Sequence, residues 1–89
     1  MSIEITEHFQ KRFRERVANS KRASLFANRA FKFGKPSCDF KNATFAKEIT
    51  KKEDEYGSVA RVYSNYIYWF YNNKAVTIYP LPQYLRGRL

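Results

Sequence analysis

The chain is poor in the residues that build covalent, metal-held or phosphate-cradling frameworks. It has one cysteine, Cys38, and one histidine, His8, in 89 residues. A single cysteine excludes an internal disulfide and points to a reducing compartment. Its plain reading is a small buried or half-buried thiol rather than a nucleophile. One imidazole and one thiol cannot supply the four ligands of a structural zinc. The glycines Gly34, Gly57 and Gly87 stand alone, so no glycine-rich phosphate loop is present. No Ser/His/Asp spacing of a nucleophilic triad can be read. Apolar runs are short: the longest, Tyr66–Tyr71, has the length of a strand, against the roughly 20 residues of a spanning helix. There is no basic-then-apolar leader, no repeat and no low-complexity segment. The expectation is one soluble, cytoplasmic domain over residues 1–89, without cofactor or membrane contact. A chain of this length buries a core without metal or disulfide help.

Acidic residues are also scarce. Eight Asp/Glu face 17 Lys/Arg, a net charge of +9. The excess is uneven. Residues 1–35 hold nine basic and three acidic residues, residues 36–56 four and five, and residues 57–89 four and none. Such an imbalance favours polyanionic partners, with nucleic acid ahead of an anionic membrane. The bland alternative is a solvated basic surface.

What is abundant is aromatic. Seven Tyr, eight Phe and one Trp are present, and many fall in Val59–Pro80, the stretch on which the chain is organised. Val59–Tyr63, Tyr66–Tyr71 and Lys74–Tyr79 are rich in β-branched and aromatic residues, as strands are. Ser64-Asn65 and Asn72-Asn73 break them; Asn tolerates positive φ, so both breaks suit tight hairpin turns. Pro80 stops the third strand because it cannot donate a ladder hydrogen bond. The spacing predicts a three-stranded antiparallel meander.

Ser2–Ile5 reads as a short, extended lead. Thr6 can cap a helix over Glu7–Ala18, with Glu7 placed to complement the dipole. Phe9, Phe13 and Val17 recur every fourth residue and form an apolar stripe; His8, Arg12 and Arg16 form a basic stripe beside it. Asn19-Ser20 breaks the pattern, and Ser20 can cap a second helix over Lys21–Phe33. Ala23, Phe26, Ala27, Ala30 and Phe31 mark its inner face and Leu25 widens it, while Lys21, Arg22, Arg29 and Lys32 stay outside. Gly34 fits the position after the last turn, and Pro36 prevents continuation. Ala43–Glu53 reads equally as a short helix on Phe45 and Ile49 or as an ordered loop, with Lys51–Glu55 solvated. In the tail, Leu81, Tyr84 and Leu85 should pack and the last residues should be mobile.

In the central strand Tyr66, Tyr68 and Phe70 share one face, and Ile67, Trp69 and Tyr71 the other. The expected fold class is α+β: an N-terminal helical pair packed on one face of the meander. The core is expected to join Phe9, Phe13, Val17, Phe26, Ala30 and one face of Tyr66–Tyr71. Both faces are aromatic, so both suit partial cover or use. The face away from the helices would then expose tyrosines, either as a platform on which bases can stack or as half-buried edge residues with wet hydroxyls.

Thr6-Glu7-His8 with Arg12-Phe13 and Glu15-Arg16, two helices, and a closing meander that ends Val76-Thr77-Ile78-Tyr79-Pro80 resemble small phage and mobile-element proteins. Those are related to RelE-like toxins and the wider barnase–EndoU–colicin–RelE group of ribonucleases. The resemblance follows element order over most of the chain, on short motifs. It implies a single RelE-like domain with helices on a small antiparallel sheet and RNA on the sheet's open side. It also implies metal-independent cleavage, with the ribose 2′-OH attacking the adjacent phosphate. By position, His8 matches the early helix histidine, Arg61 the strand arginine and Tyr79 the late aromatic, so these are the candidate catalytic residues.

The chain departs from the group's pattern. One histidine excludes the two-histidine arrangement of the EndoU branch, and Val59–Tyr79 carries no Asp or Glu to act as base. An arginine, lysine and tyrosine kit orients phosphate and stabilises its charge, which serves a catalyst or a silent RNA binder equally. The expected nucleic-acid contacts are Arg12, Arg16, Lys74, Tyr66 and Tyr68. The rival is a non-catalytic, phage-type inhibitor or regulator that meets a protein partner, such as an antitoxin or a host enzyme, through exposed aromatics and basic charge.

Overall fold

A computed structural model describes residues 3–17 and 20–87, with the backbone alone for Ser20. Along the chain these form β1 (Glu4–Ile5), α1 (Glu7–Arg16), a 3₁₀ turn (Ser20–Arg22), α2 (Ala23–Phe33), β2 (Lys35–Pro36), a 3₁₀ turn (Ser37–Asp39), α3 (Ala43–Tyr56), β3 (Val59–Tyr63), β4 (Tyr66–Tyr71), β5 (Lys74–Pro80) and a last 3₁₀ turn (Gln83–Leu85). The α+β class is as expected. The sheet is larger than expected and mixed: five strands in the order β1-β5-β4-β3-β2, with β1 parallel to β5 and every other pairing antiparallel.

The meander forms at its centre for the reasons its sequence gives. Ser64 and Asn65 have φ of 51° and 68°, and Asn72 and Asn73 have 54° and 63°. Positive φ at both central residues is the type I′ geometry whose twist matches that of the flanking strands. β5 includes Pro80, opposite Tyr66, one residue beyond the expected end. The two outer strands are only two residues long, too short to show a period-two pattern.

α1 starts where Thr6 accepts a 3.1 Å hydrogen bond from the Phe9 amide and ends at Arg16. The expected end at Ala18, the Ser20 side-chain cap, the start of the N-terminal lead and the last two residues of the tail lie outside the described residues. α2 begins at Ala23 behind the 3₁₀ turn, with Arg22 in the cap position and no side-chain cap bond. Gly34 follows α2 with φ −67°, so its role is steric, not left-handed. A Cβ there would lie 2.3 Å from the Ala30 carbonyl oxygen and 2.8 Å from the Arg61 Cβ; the close crossing of chain and β3 admits glycine alone.

Ala43–Glu53 folds as a helix rather than a loop, and the helix runs on to Tyr56. Asn42 accepts a 2.9 Å hydrogen bond from the Phe45 amide and opens α3, and Gly57 closes it at φ 63°, the left-handed cap that glycine adopts freely. Within Lys51–Glu55, Glu53 is not simply solvated. Its carboxylate accepts from the Ser37 hydroxyl at 2.7 Å and from the Ala60 amide at 2.9 Å, tying α3 to β3.

Alternation along β4 gives the sheet two cores, not one. On the first face Phe9, Phe13, Ala23, Ala27 and Ala30 of α1 and α2 meet Tyr68 and Phe70, with Val17, Phe26 and Tyr66 packed around them; this is the expected core. Leu25 does not join it and stands 47% exposed. On the second face, expected to be open, Phe40, Phe45 and Ile49 together with Leu81 and Leu85 of the tail cover Ile67 and Trp69. The helical pair is therefore one of two layers that sandwich the sheet. No helix among the described residues is long and apolar enough to cross a membrane.

Tyr68 is the anomaly of the first core. It is fully buried, and its hydroxyl has no hydrogen-bond partner among the described residues. Burial, with Tyr63 and Tyr66 nearby, pushes its pKa well above the ordinary 10.0. Below that ordinary value both folded and unfolded chains keep the proton, and the group makes stability no different. Above it the unfolded chain releases the proton first, so stability falls as pH rises towards the folded pKa, by about 1.4 kcal/mol per pH unit. Tyr68→Phe should remove this alkaline loss and, by relieving an unpaired buried hydroxyl worth about 1–3 kcal/mol, leave the fold as stable or more stable at pH 7. Urea unfolding of both proteins at neutral and alkaline pH measures this; a destabilised variant would mean that the hydroxyl has a partner.

Candidate functional site

The sequence-predicted residues fall into three places. His8 is exposed in the first turn of α1. Arg12, on the same stripe, makes a 3.2 Å ion pair with Glu15. Arg16, at the end of the stripe, is anchored to the sheet. Its Nη1 donates a 2.6 Å hydrogen bond to the Ile78 carbonyl, its guanidinium carbon lies 4.6 Å from the centre of the Tyr79 ring, and its own carbonyl accepts the Tyr66 hydroxyl at 2.9 Å. β1 pairs with β5 only at Lys74 and Ala75. Beyond that, among the described residues the α1 cap and one α1 side chain satisfy the β5 edge. Thr6 donates its amide to the Ala75 carbonyl at 3.1 Å and its hydroxyl to the Val76 carbonyl at 3.4 Å, and Arg16 reaches Ile78. Covering an open strand edge in this way suppresses pairing with other chains.

Arg61 stands elsewhere. It shares a rung with Tyr68 and Ile78, which face the first core, and its Nη1 donates to the Ala60 carbonyl at 3.1 Å. Tyr79, one residue after Ile78, projects from the opposite face. With β4 between β3 and β5, Arg61 and Tyr79 are also separated by two strand spacings, about 10 Å. The expected catalytic group of His8, Arg61 and Tyr79 is thus not assembled; the pair the fold brings together is Arg16 and Tyr79. Tyr66 and Tyr68 cannot form an open stacking platform either. Tyr68 is sealed beneath α1 at 6.0 Å from Phe9, and Tyr66 is half-buried on Arg16. Lys74 is exposed at the start of β5, beside the Asn72-Asn73 turn.

Exposed tyrosines lie on the other face, whereas the exposed phenylalanines Phe31 and Phe33 belong to α2. α3, the sheet and the C-terminal tail enclose an open cleft of about 650 Å³. Ile67 and Trp69 line its buried side. Tyr79 is 45% exposed at its edge, together with Tyr56 at 62% and Tyr84 at 65%. Glu48 and Lys52 are its charged lining. Sequence reasoning found Tyr79 but missed Tyr56, Tyr84 and Trp69 as members of one site. The available signal was the apolar set Leu81, Tyr84 and Leu85 after Pro80, which pins the tail across the sheet. A site formed from residues 45–84 becomes visible only when α3 and the tail are placed on the same face.

Other chemistry is sparse. Cys38 is exposed, with its thiol 3.8 Å from an Asp39 carboxylate oxygen. Among the described residues no group of three His, Cys, Asp or Glu side chains is placed to hold a metal ion. Comparison of the chain with protein-family models, with curated proteins and with solved structures gives no match.

Proposed function

We propose that this protein binds nucleic acid, RNA in particular, as a binder and not a nuclease. The observation that carries the reading is where the charge goes on folding. Of the segment with nine basic and three acidic residues, Glu4 and Lys35 fall in β1 and β2, and the other charges belong to the helical layer on one face of the sheet. On it Lys11, Arg14, Arg22, Arg29 and Lys32 are exposed, and α2 contains no acidic residue. A layer of this kind raises a positive field over one side of the molecule, which attracts a phosphate backbone without demanding a sequence. Binding without cleavage is favoured because Arg61 and Tyr79 lie on opposite faces of the sheet, leaving His8 without the partners that 2′-OH attack requires.

Fluorescence anisotropy with labelled single-stranded RNA and DNA over a range of salt concentrations tests the reading. Log affinity should fall by about 0.7–0.9 per log unit of salt for each phosphate neutralised. Arg12→Gln and Arg29→Gln should each lower that slope, and the RNA should remain intact. Arg16 is unsuitable for this purpose because it also anchors α1 to β5. Absence of binding at low salt, or affinity insensitive to salt, would favour the protein-partner alternative. Cleavage lost in His8→Gln would restore the ribonuclease reading.

A further inference from the structure

We infer that the aromatic cleft on the second face is the seat of an unstacked base, so that the preferred ligand is a single strand and not a duplex. This rests on the nucleic-acid reading above and assigns a place to the base as distinct from the phosphates. The cleft volume, about 650 Å³, lies in the range of small-ligand clefts, roughly 300–1,000 Å³. Tyr56, Tyr79 and Tyr84 present rings at its opening that no other side chain covers fully. Aromatic rings stack on any base, because each base has a π-face, but they reach only bases released from a helix.

Charge complementarity selects a nucleotide over a neutral apolar ligand. Lys52 lies in the lining. Arg16 sits on the Tyr79 ring at 4.6 Å, and Arg86 is exposed on the tail that forms one wall, its Nε bonded to the Leu81 carbonyl at 3.2 Å. Within the lining itself Lys52 is matched by one carboxylate, Glu48, so the positive surplus comes from Arg16 and Arg86 at its border. The stripe of His8, Arg12 and Arg16 ends at this edge, and gives the sugar–phosphate chain a path from the cleft to the basic helical layer.

The molecule carries its own reporter. Its single tryptophan, Trp69, lines the buried side of the cleft, so tryptophan emission reads cleft occupancy directly. Titration with a short single-stranded RNA should change that emission, and a duplex of the same sequence should not. Tyr84→Ala and Tyr56→Ala, both at exposed positions, should each weaken single-strand binding by about 5- to 150-fold, while duplex binding and its salt slope stay as in the wild type. Tyr84→Phe should retain most of the affinity. Unchanged helical circular dichroism in the variants separates lost contact from lost fold. Oligonucleotide binding with a normal salt slope, constant Trp69 emission and no effect of the tyrosine variants would overturn this inference and leave the nucleic-acid reading standing. No oligonucleotide binding at low salt would remove both. An emission change with a proline-rich peptide and none with RNA would make the cleft a peptide site and overturn the inference.

Discussion

Phe13→Ala should destabilise the fold by about 3–5 kcal/mol, the range for truncating a buried aromatic in a packed core. Phe13 is fully buried. Its ring meets Phe9 at 6.0 Å and Phe26 edge-on at 5.4 Å, so one side chain joins α1 to α2 above the sheet. Alanine removes the transfer free energy of the ring and leaves a cavity that two rigid helices and a sheet cannot fully close. A domain of this size has a total stability of about 5–15 kcal/mol, so the variant should melt on the order of 10–40 °C lower. Urea unfolding followed by circular dichroism measures the loss. Phe33→Ala, at a position 67% exposed, is the control and should stay within about 0.5 kcal/mol of the wild type. A loss below about 1 kcal/mol at Phe13 would mean that α1 turns another face to the sheet.

The second large effect belongs to the other side of the sheet. Trp69→Ala should also cost about 3–5 kcal/mol. The residue is 9% exposed and packs in a core with Phe40, Phe45, Ile49, Leu81 and Leu85. This discriminates sharply between two architectures. With helices on one face alone, Trp69 would be a surface aromatic, and its removal would change stability by about 0.5 kcal/mol or less. With α3 and the tail in place, it is the largest side chain of a second core. Because the variant lacks tryptophan emission, its unfolding has to be followed by far-ultraviolet circular dichroism. A small loss would mean that the second layer does not hold to the sheet.

The two predictions mark the boundary of what could be read from the sequence. The first face was legible: the stripe of Phe9, Phe13 and Val17 on α1 and the alternation Tyr66, Tyr68, Phe70 on β4 each show one buried side, and they meet in one core. The second face was not. α3 carries just Phe45 and Ile49 as buried residues among charged neighbours, a pattern that a loop shares, and the tail that completes the layer has no periodicity. The candidate site followed the same division. Tyr79 was recognisable as a late aromatic on a strand, but the partner it would have, Arg16 and not Arg61, depended on which face each residue took and on how α1 closes the β5 edge.

What this sequence determines by itself is local. Asn-rich two-residue breaks impose positive φ and hence the two hairpins; Thr6 and Asn42 satisfy amides at helix starts; side-chain period sorts each strand and helix into a buried and an exposed side. These depend on residues a few positions apart, where the backbone's own sterics and hydrogen bonding decide. Only the tertiary structure decides that Glu4 pairs in parallel with Lys74, that Gly34 must pass Arg61 without a Cβ, and that Tyr56, Tyr79 and Tyr84 border one cleft. Those contacts join residues far apart in the chain. Their free energy comes from burying whole faces together, and a face shows what it can bury without showing which partner will cover it.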